Sequence, residues 1–95
     1  MKAEQLVTNM RATLAAEREA IRRLDVQGVN AAAAAKEKLL GALKDAPTSE
    51  RAALVAALGE LKTELRRNLV LLAHARDYLR ETVELFGKGR LDAEL

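Results

Sequence analysis

The stretch LRRNLVLLAHARDYL, residues 65–79, determines the predicted fold, because its apolar residues recur at helical spacing. The same spacing continues in both directions, in alternating steps of four and three residues. The positions of this series, called the seam below, are Leu54, Leu58, Leu61, Leu65, Asn68, Leu72, Ala75, Leu79, Thr82 and Phe86. A seam of this length predicts a coiled-coil helix. Gly87 and Gly89 are expected to end that helix just after Phe86.

The single proline, Pro47, marks a predicted break near the middle of the chain. Proline disfavours helical geometry for the residue before it, and Thr48 or Ser49 is a suitable N-cap for the helix after it. A second apolar series precedes the proline, at Leu6, Met10, Leu14, Ile21, Leu24, Ala31, Ala35, Leu39 and Leu43. The sequence therefore predicts an all-α fold, an antiparallel helical hairpin or coiled coil of two long helices. We expect one domain over residues 1–95, with helix 1 at about 3–44, a turn at 45–48, helix 2 at about 49–86 and a short tail at 87–95.

Two residues interrupt the apolar series of helix 1, namely Glu17 and Gly28. A glycine inside a helix costs about 1 kcal/mol relative to alanine. We nevertheless expect continuous helix to about Lys44, because the apolar series keeps its register across Gly28. A bend or break near Gly28 is the alternative.

Asn68 is a polar residue at a seam position where the pattern calls for leucine. A hairpin folded at Pro47 would place Asn68 at the level of Asp25 and Gln27. A buried asparagine disfavours slipped registers, because a slip leaves its amide without a partner. We therefore predict that Asn68 pairs with Gln27 or Asp25 and sets the register. On this hypothesis Asn68→Leu raises the melting temperature and permits additional registers or oligomers.

Helix 2 carries more apolar surface than one seam requires. Leu71, Tyr78 and Leu85 follow one another at seven-residue spacing along one flank, and His74 lies beside them. One interpretation is that another helix of the chain, or a second copy in a dimer, covers this flank. The other is that the flank receives an amphipathic helix from a partner protein. A single histidine on such a flank is more typical of a packing residue than of a ligand or a base.

The composition excludes several classes of function. The 95 residues are rich in alanine, leucine and charged side chains, a composition typical of long helices. Because the sequence contains no cysteine, disulfides and thiolate metal sites are excluded. The net charge of +2 comes from interleaved acids and bases, so no nucleic-acid-binding patch is expected. No apolar run is long enough for a membrane span and no leader is apparent, so a cytoplasmic location is expected. Binding to a membrane surface is disfavoured by the balanced charge of the polar face.

Catalytic motifs are also missing from the sequence. It contains no HExxH pattern, no P-loop and no ExxH iron pattern, and a rod of two helices offers no cleft for a substrate. We therefore predict a protein that is not an enzyme and that uses no cofactor or metal.

Several of these residues together resemble the FlgN-type flagellar export chaperones. The resemblance covers most of the chain, with Glu17 and Asp25 in the first segment, Lys36 before a pair of leucines, and Asn68 shortly before Leu71 and Leu72. The segments that carry it are LAAEREAIRRLD at 14–25, AAAAAKEKLLGAL at 31–43 and LRRNLVLLAHARDYL at 65–79. The ending LFGKGRLD is similar to the glycine-containing tail of family members.

The resemblance implies a specific function. Such chaperones bind the disordered, amphipathic terminal segment of hook-associated (hook–filament junction) proteins in the bacterial cytoplasm and deliver them to the flagellar type III export apparatus. Contact with the substrate is attributed to their C-terminal part. Together with the apolar flank, this gives the candidate partner-binding residues Leu71, His74, Tyr78, Leu85, Phe86 and Arg90. The alternative is a structural coiled-coil protein that oligomerises or serves as an adaptor, without a role in export.

Overall fold

The computed structural model describes residues 2–94, and it describes side chains for residues 2–87. The predicted all-α class is confirmed. The helices are α1 (Ala3–Arg22), α2 (Val26–Lys44), α3 (Thr48–Glu60) and α4 (Lys62–Glu94). They form an elongated molecule with extents of 67 × 21 × 17 Å. Within residues 2–94, no helix has an apolar stretch long enough to span a bilayer.

The predicted continuity of helix 1 to Lys44 is wrong, because the chain reverses direction at residues 23–25. The backbone N–H of Asp25 donates to the carbonyl of Ala20 at 2.8 Å, and that of Leu24 donates to the carbonyl of Ile21 at 3.0 Å. These paired bonds are the Schellman arrangement that satisfies the last carbonyls of a helix. Leu24 adopts the left-handed conformation, with φ of 55°, at the position where such turns usually hold glycine.

The turn is completed by the start of α2. The Asp25 carboxylate accepts a hydrogen bond from the backbone N–H of Gly28 at 3.1 Å, which makes Asp25 the N-cap of α2. Gly28 itself is inside α2, and a Cβ at this position would lie 2.9 Å from the Cβ of Ala20. The alternative prediction, a break near Gly28, therefore identified the right region. The glycine allows α1 and α2 to approach closely, and the break precedes it.

The extra reversal changes the arrangement of the helices. Lys36 of α2 contacts Glu17 of α1, which is consistent with α2 running back along α1. Arg11 pairs with Glu64 at 3.7 Å, and further along both helices Asn68 bonds to the backbone of Leu14. The α3–α4 segment therefore runs parallel to α1. The molecule is an up-down-up bundle, and the predicted hairpin of two long helices does not describe it.

The core of the bundle lies where α1, α2 and α3 meet. Its buried residues are Leu6, Met10, Leu14, Leu39, Leu54, Ala57 and Leu61. The α3 and α4 helices are separated by Leu61 alone, whose N–H donates to the carbonyl of Leu58 at 3.0 Å. This bond spans three residues, so the helix tightens locally while Leu61 remains fully buried. The predicted single helix 2 is therefore interrupted at Leu61, although its seam faces the other helices as far as Ala75.

The break at Pro47 lies where the sequence predicts it, between Lys44 and Thr48. The predicted N-cap is wrong, because Pro47 occupies the cap position and no side chain bonds to the first turn of α3. Instead, Nη2 of Arg51 donates to the carbonyl of Lys44 at 3.2 Å and so satisfies the end of α2.

The predicted end of the last helix at Phe86 is also wrong. Helix α4 continues through Gly87 and Gly89 to Glu94, so the predicted tail at 87–95 is helical as far as the structure describes it. Glycine lowers helix propensity by about 1 kcal/mol, but it ends a helix only where the backbone turns left-handed, and none of the described glycines does so. The end of α4 extends past the α1–α2 turn, and every described side chain from Arg76 to Gly87 is exposed. Residues 78–94, roughly 25 Å of helix, are called the overhang below.

Candidate functional site

The overhang exposes large apolar side chains that nothing in the described chain covers. Tyr78 is 58% exposed, Val83 69%, Leu85 71% and Phe86 75%. Small soluble domains seldom leave so many large apolar side chains together in water, and contiguous patches of this kind usually mark a binding surface. The overhang is therefore the candidate site.

Over residues 78–86, the charges of the overhang lie on one side of the helix. In heptad notation the seam residues Leu79 and Phe86 occupy a positions and Thr82 a d position, while Val83 follows at e and Leu85 at g. Exposed e and g positions of two-stranded coiled coils usually carry charge. Here the charged Arg80, Glu81 and Glu84 occupy the outer b, c and f positions instead. The uncharged face is therefore wider than a single seam, and it suits an apolar helix laid along it.

A groove lies at the base of the overhang, between α4 and the α1–α2 turn. It has a volume of about 240 Å³ and is called the basal groove below. Its lining residues are Ile21, Leu24, Val26, Val29, Leu72, Ala75, Arg76 and Leu79. The residues at its edge are partly or mostly exposed, with Leu24 at 39%, Val26 at 62% and Leu79 at 39%. Since Leu79 also belongs to the seam, the groove and the overhang form one continuous apolar surface.

The predicted partner-binding residues divide into two groups. Tyr78, Leu85 and Phe86 lie on the overhang and are exposed. Leu71 is half-buried beside the bundle, and His74 is exposed at the level of the basal groove without lining it. Arg90 lies outside the residues whose side chains the structure describes.

The basal groove was not predicted from the sequence. The stretch LDVQGV contained the relevant signal, because an aspartate directly before an apolar residue is a suitable N-cap and can mark a new helix start. Placing that start at Asp25 would have brought Leu24 and Val26 to the end of the bundle.

A second distinctive feature is a buried polar cluster in the middle of the bundle. Nδ2 of Asn68 donates to the backbone carbonyl of Leu14 at 2.8 Å and to Oε1 of Glu17 at 2.9 Å. Nζ of Lys36 lies 2.6 Å from Oε2 of Glu17. Glu17 is fully buried and Asn68 is 1% exposed, whereas Lys36 keeps its end partly in water. One carboxylate thus joins side chains from α1, α2 and α4.

The predicted partners of Asn68, Gln27 and Asp25, are wrong. Both are exposed, because the chain reverses at residues 23–25 and α4 then runs parallel to α1. The partner is Glu17, the polar residue that interrupts the apolar series of helix 1. Matching those two polar positions to each other would have identified the pair from the sequence.

The polar cluster is only partly satisfied. Oδ1 of Asn68 has no hydrogen-bond partner among the described residues, and Oε2 of Glu17 makes a close ionic contact with Lys36 rather than a directional hydrogen bond. Buried ion pairs of this kind often contribute little net stability, because their desolvation offsets the attraction. Here the cluster favours one register of α4 against α1. If α4 slid along α1 by one turn, Glu17 and Asn68 would stay buried but lose the hydrogen bond between them.

Comparisons of the chain with protein-family models, with curated proteins and with solved structures found no match.

Proposed function

We propose that this protein is a cytoplasmic chaperone that binds the amphipathic terminal segment of flagellar hook-associated proteins and escorts it to the type III export apparatus. The observation that carries the proposal is the overhang, whose residues 78–86 present an exposed apolar helix face roughly 14 Å long with its charges on the outer side. A disordered amphipathic segment that folds into a helix on binding would cover this face, and part of the interaction energy would be lost in ordering it.

A second argument comes from the positions that carry the resemblance to FlgN-type chaperones. Glu17, Lys36 and Asn68 form the buried polar cluster, and Asp25 caps α2. The polar residues of that weak sequence pattern therefore all have structural roles in this bundle. This agreement supports the resemblance, because chance matches to a leucine-rich pattern need not converge on one cluster.

The alternative is a structural coiled-coil protein that oligomerises or acts as an adaptor without a role in export. One observation favours it: the seam residues Leu79 and Phe86 continue the same heptad series as the buried Leu54 and Leu61. A seam that continues without a partner in the chain is typical of a helix that pairs with another coiled coil.

The experiment that separates these functions is a pull-down of the tagged protein from motile cells of the parent organism. The test variant carries Tyr78→Asp and Leu85→Asp on the overhang. Val55→Asp is the matched control, since Val55 is 55% exposed on α3, away from the overhang. Circular dichroism would show that both variants keep the helical content of the wild type.

For the chaperone, a hook-associated protein is recovered with the wild type and with Val55→Asp, and is lost with the overhang variant. Recovery of the tagged chain's own copies alone, from cells that contain hook-associated proteins, would support the structural alternative. Equal recovery of a hook-associated protein by all three forms would move the binding site away from the overhang.

A further inference from the structure

We propose that the overhang pairs with the overhang of a second copy of this chain, in an antiparallel arrangement with two-fold symmetry, and that the paired form competes with the client. The competition rests on the proposed function, whereas the pairing rests on the described residues alone.

The heptad positions of the overhang support a second copy as the occupant. In antiparallel coiled coils, residues at e face e and residues at g face g of the other helix. With the symmetry axis at Glu84, Val83 at e meets the second copy's Val83 on one side of the axis. Leu85 at g meets the second copy's Leu85 on the other side, and Thr82 packs in one layer with Phe86. Both side chains next to the axis are apolar and mostly exposed in the single chain, so each is complementary to itself, as a two-fold interface requires.

The antiparallel direction follows from the shape of the bundle. Near Leu72 and Ala75 the seam side of α4 faces the end of α1 across the basal groove. A parallel pair would place two bundle bodies side by side at the same end, and their α1–α2 turns would hold the two seams apart. An antiparallel pair places the bodies at opposite ends, so that only the overhangs overlap.

The length of the overhang brings the basal groove into the same interface. With the axis at Glu84, the end of α4 of one copy, at Glu94, reaches about the level of His74 in the other. That level is beside the groove formed by Leu24, Val26 and Leu79. The backbone of α4 of one copy would therefore pass alongside the exposed apolar residues of the α1–α2 turn of the other.

The size of the interface indicates a reversible pair. An aromatic side chain buries roughly 150–250 Å², so the two overhangs together bury on the order of 1,000 Å², the lower limit for a specific interface. A weak dimer of this size protects Leu85 and Phe86 from water in the free chaperone. It also leaves the same residues available to a client segment that displaces the second copy.

Disulfide trapping tests the pairing directly, since the wild-type chain contains no cysteine. Single variants Val83→Cys and Leu85→Cys, oxidised at tens of micromolar protein, are expected to form covalent dimers. Leu79→Cys is the control that reports direction. In the antiparallel pair the two copies of residue 79 are roughly 15 Å apart along the axis, so this variant stays monomeric.

A parallel pair would give the opposite pattern, with cross-linking of Leu79→Cys, and would overturn the proposal.

Sedimentation equilibrium of the wild type, Leu85→Asp and Val55→Asp measures the pairing without oxidation. We expect dimer in the wild type and in Val55→Asp, and at least a tenfold weaker association in Leu85→Asp. A wild type that remains monomeric at several hundred micromolar, with no trapping at Val83 or Leu85, would refute the pairing. The client pull-down is independent of this result. If the protein is monomeric but recovers a hook-associated protein, the pairing fails and the proposed function is supported. If the protein is dimeric but recovers no hook-associated protein, the pairing is supported and the proposed function fails.

Discussion

The bundle body and the overhang carry the same heptad pattern, but their seam residues have opposite environments. Leu54 is 1% exposed and Leu61 is fully buried, because α1 packs against them. Further along the same series Leu79 is 39% exposed and Phe86 is 75% exposed, because α1 ends at Arg22 and nothing in the described chain replaces it. The spacing of apolar residues therefore identifies the face that requires a partner, and it does not identify where the partner comes from.

This difference separates residues that stabilise the fold from residues available for recognition. A buried seam leucine contributes its full transfer free energy and the packing around it. An exposed seam residue contributes little until another chain covers it.

The largest expected effect is that of Leu61→Ala, compared with Phe86→Ala. Truncating the fully buried Leu61 is expected to lower the free energy of unfolding by about 3 kcal/mol, which corresponds to a melting temperature roughly 12–20 °C lower. Phe86→Ala removes a larger side chain but should change the stability of the monomer by less than about 0.5 kcal/mol. Thermal and urea denaturation at low protein concentration measure both values. Similar losses for the two variants would show that the overhang is packed within its own chain.

The second prediction concerns the buried polar cluster, and it reverses the expectation from the sequence alone. Asn68→Leu removes the N–H donor from Oε1 of Glu17, which remains buried. We expect a loss of about 1–2 kcal/mol in the free energy of unfolding rather than a higher melting temperature. The double variant Glu17→Leu with Asn68→Leu is expected to regain stability, since it no longer buries an unsatisfied carboxylate oxygen. A more stable Asn68→Leu single variant would contradict the role assigned to the cluster.

The smallest effect compares two glycines of α2. Gly41→Ala introduces a Cβ with no neighbour within 4 Å, so it is expected to stabilise the protein by about 0.5–1 kcal/mol through helix propensity. Gly28→Ala should instead destabilise it by about 1 kcal/mol, because the new Cβ would lie 2.7 Å from Oδ2 of the capping Asp25 and 2.9 Å from the Cβ of Ala20, which displaces the cap and forces α1 and α2 apart. Differential scanning calorimetry of the pair resolves the opposite signs. If both variants gained stability, the close approach of α1 and α2 would be refuted.

Much of the local structure could be predicted, because it depends on neighbouring residues. The helical class, the break at Pro47 and the inward-facing seam as far as Ala75 follow from composition and periodicity. The turn at residues 23–25 was not predicted, because its left-handed position is held by Leu24 rather than by glycine. That one turn also accounts for the wrong partners assigned to Asn68.

The candidate site was predictable in part. The apolar character of Tyr78, Leu85 and Phe86 is evident in the sequence, and these residues are exposed. The sequence predicted that this flank would be extra apolar surface next to a seam buried against helix 1. In the structure the seam residues Leu79 and Phe86 are themselves exposed. The position of the α1–α2 turn decides this, and periodicity within α4 contains no information about it.

Composition and periodicity are enough to predict that the chain is helical, which positions of each helix face inward, and that one flank of the last helix carries more apolar side chains than a single seam requires. The three-dimensional arrangement was needed to show which helices meet, that Glu17 is the partner of Asn68, and that the overhang and the basal groove form one surface. The physical reason is one of range: helix formation and amphipathic spacing involve residues a few positions apart. The length of α1 and the direction of α4 depend on a single turn and on the polar cluster, whose members come from three separate helices.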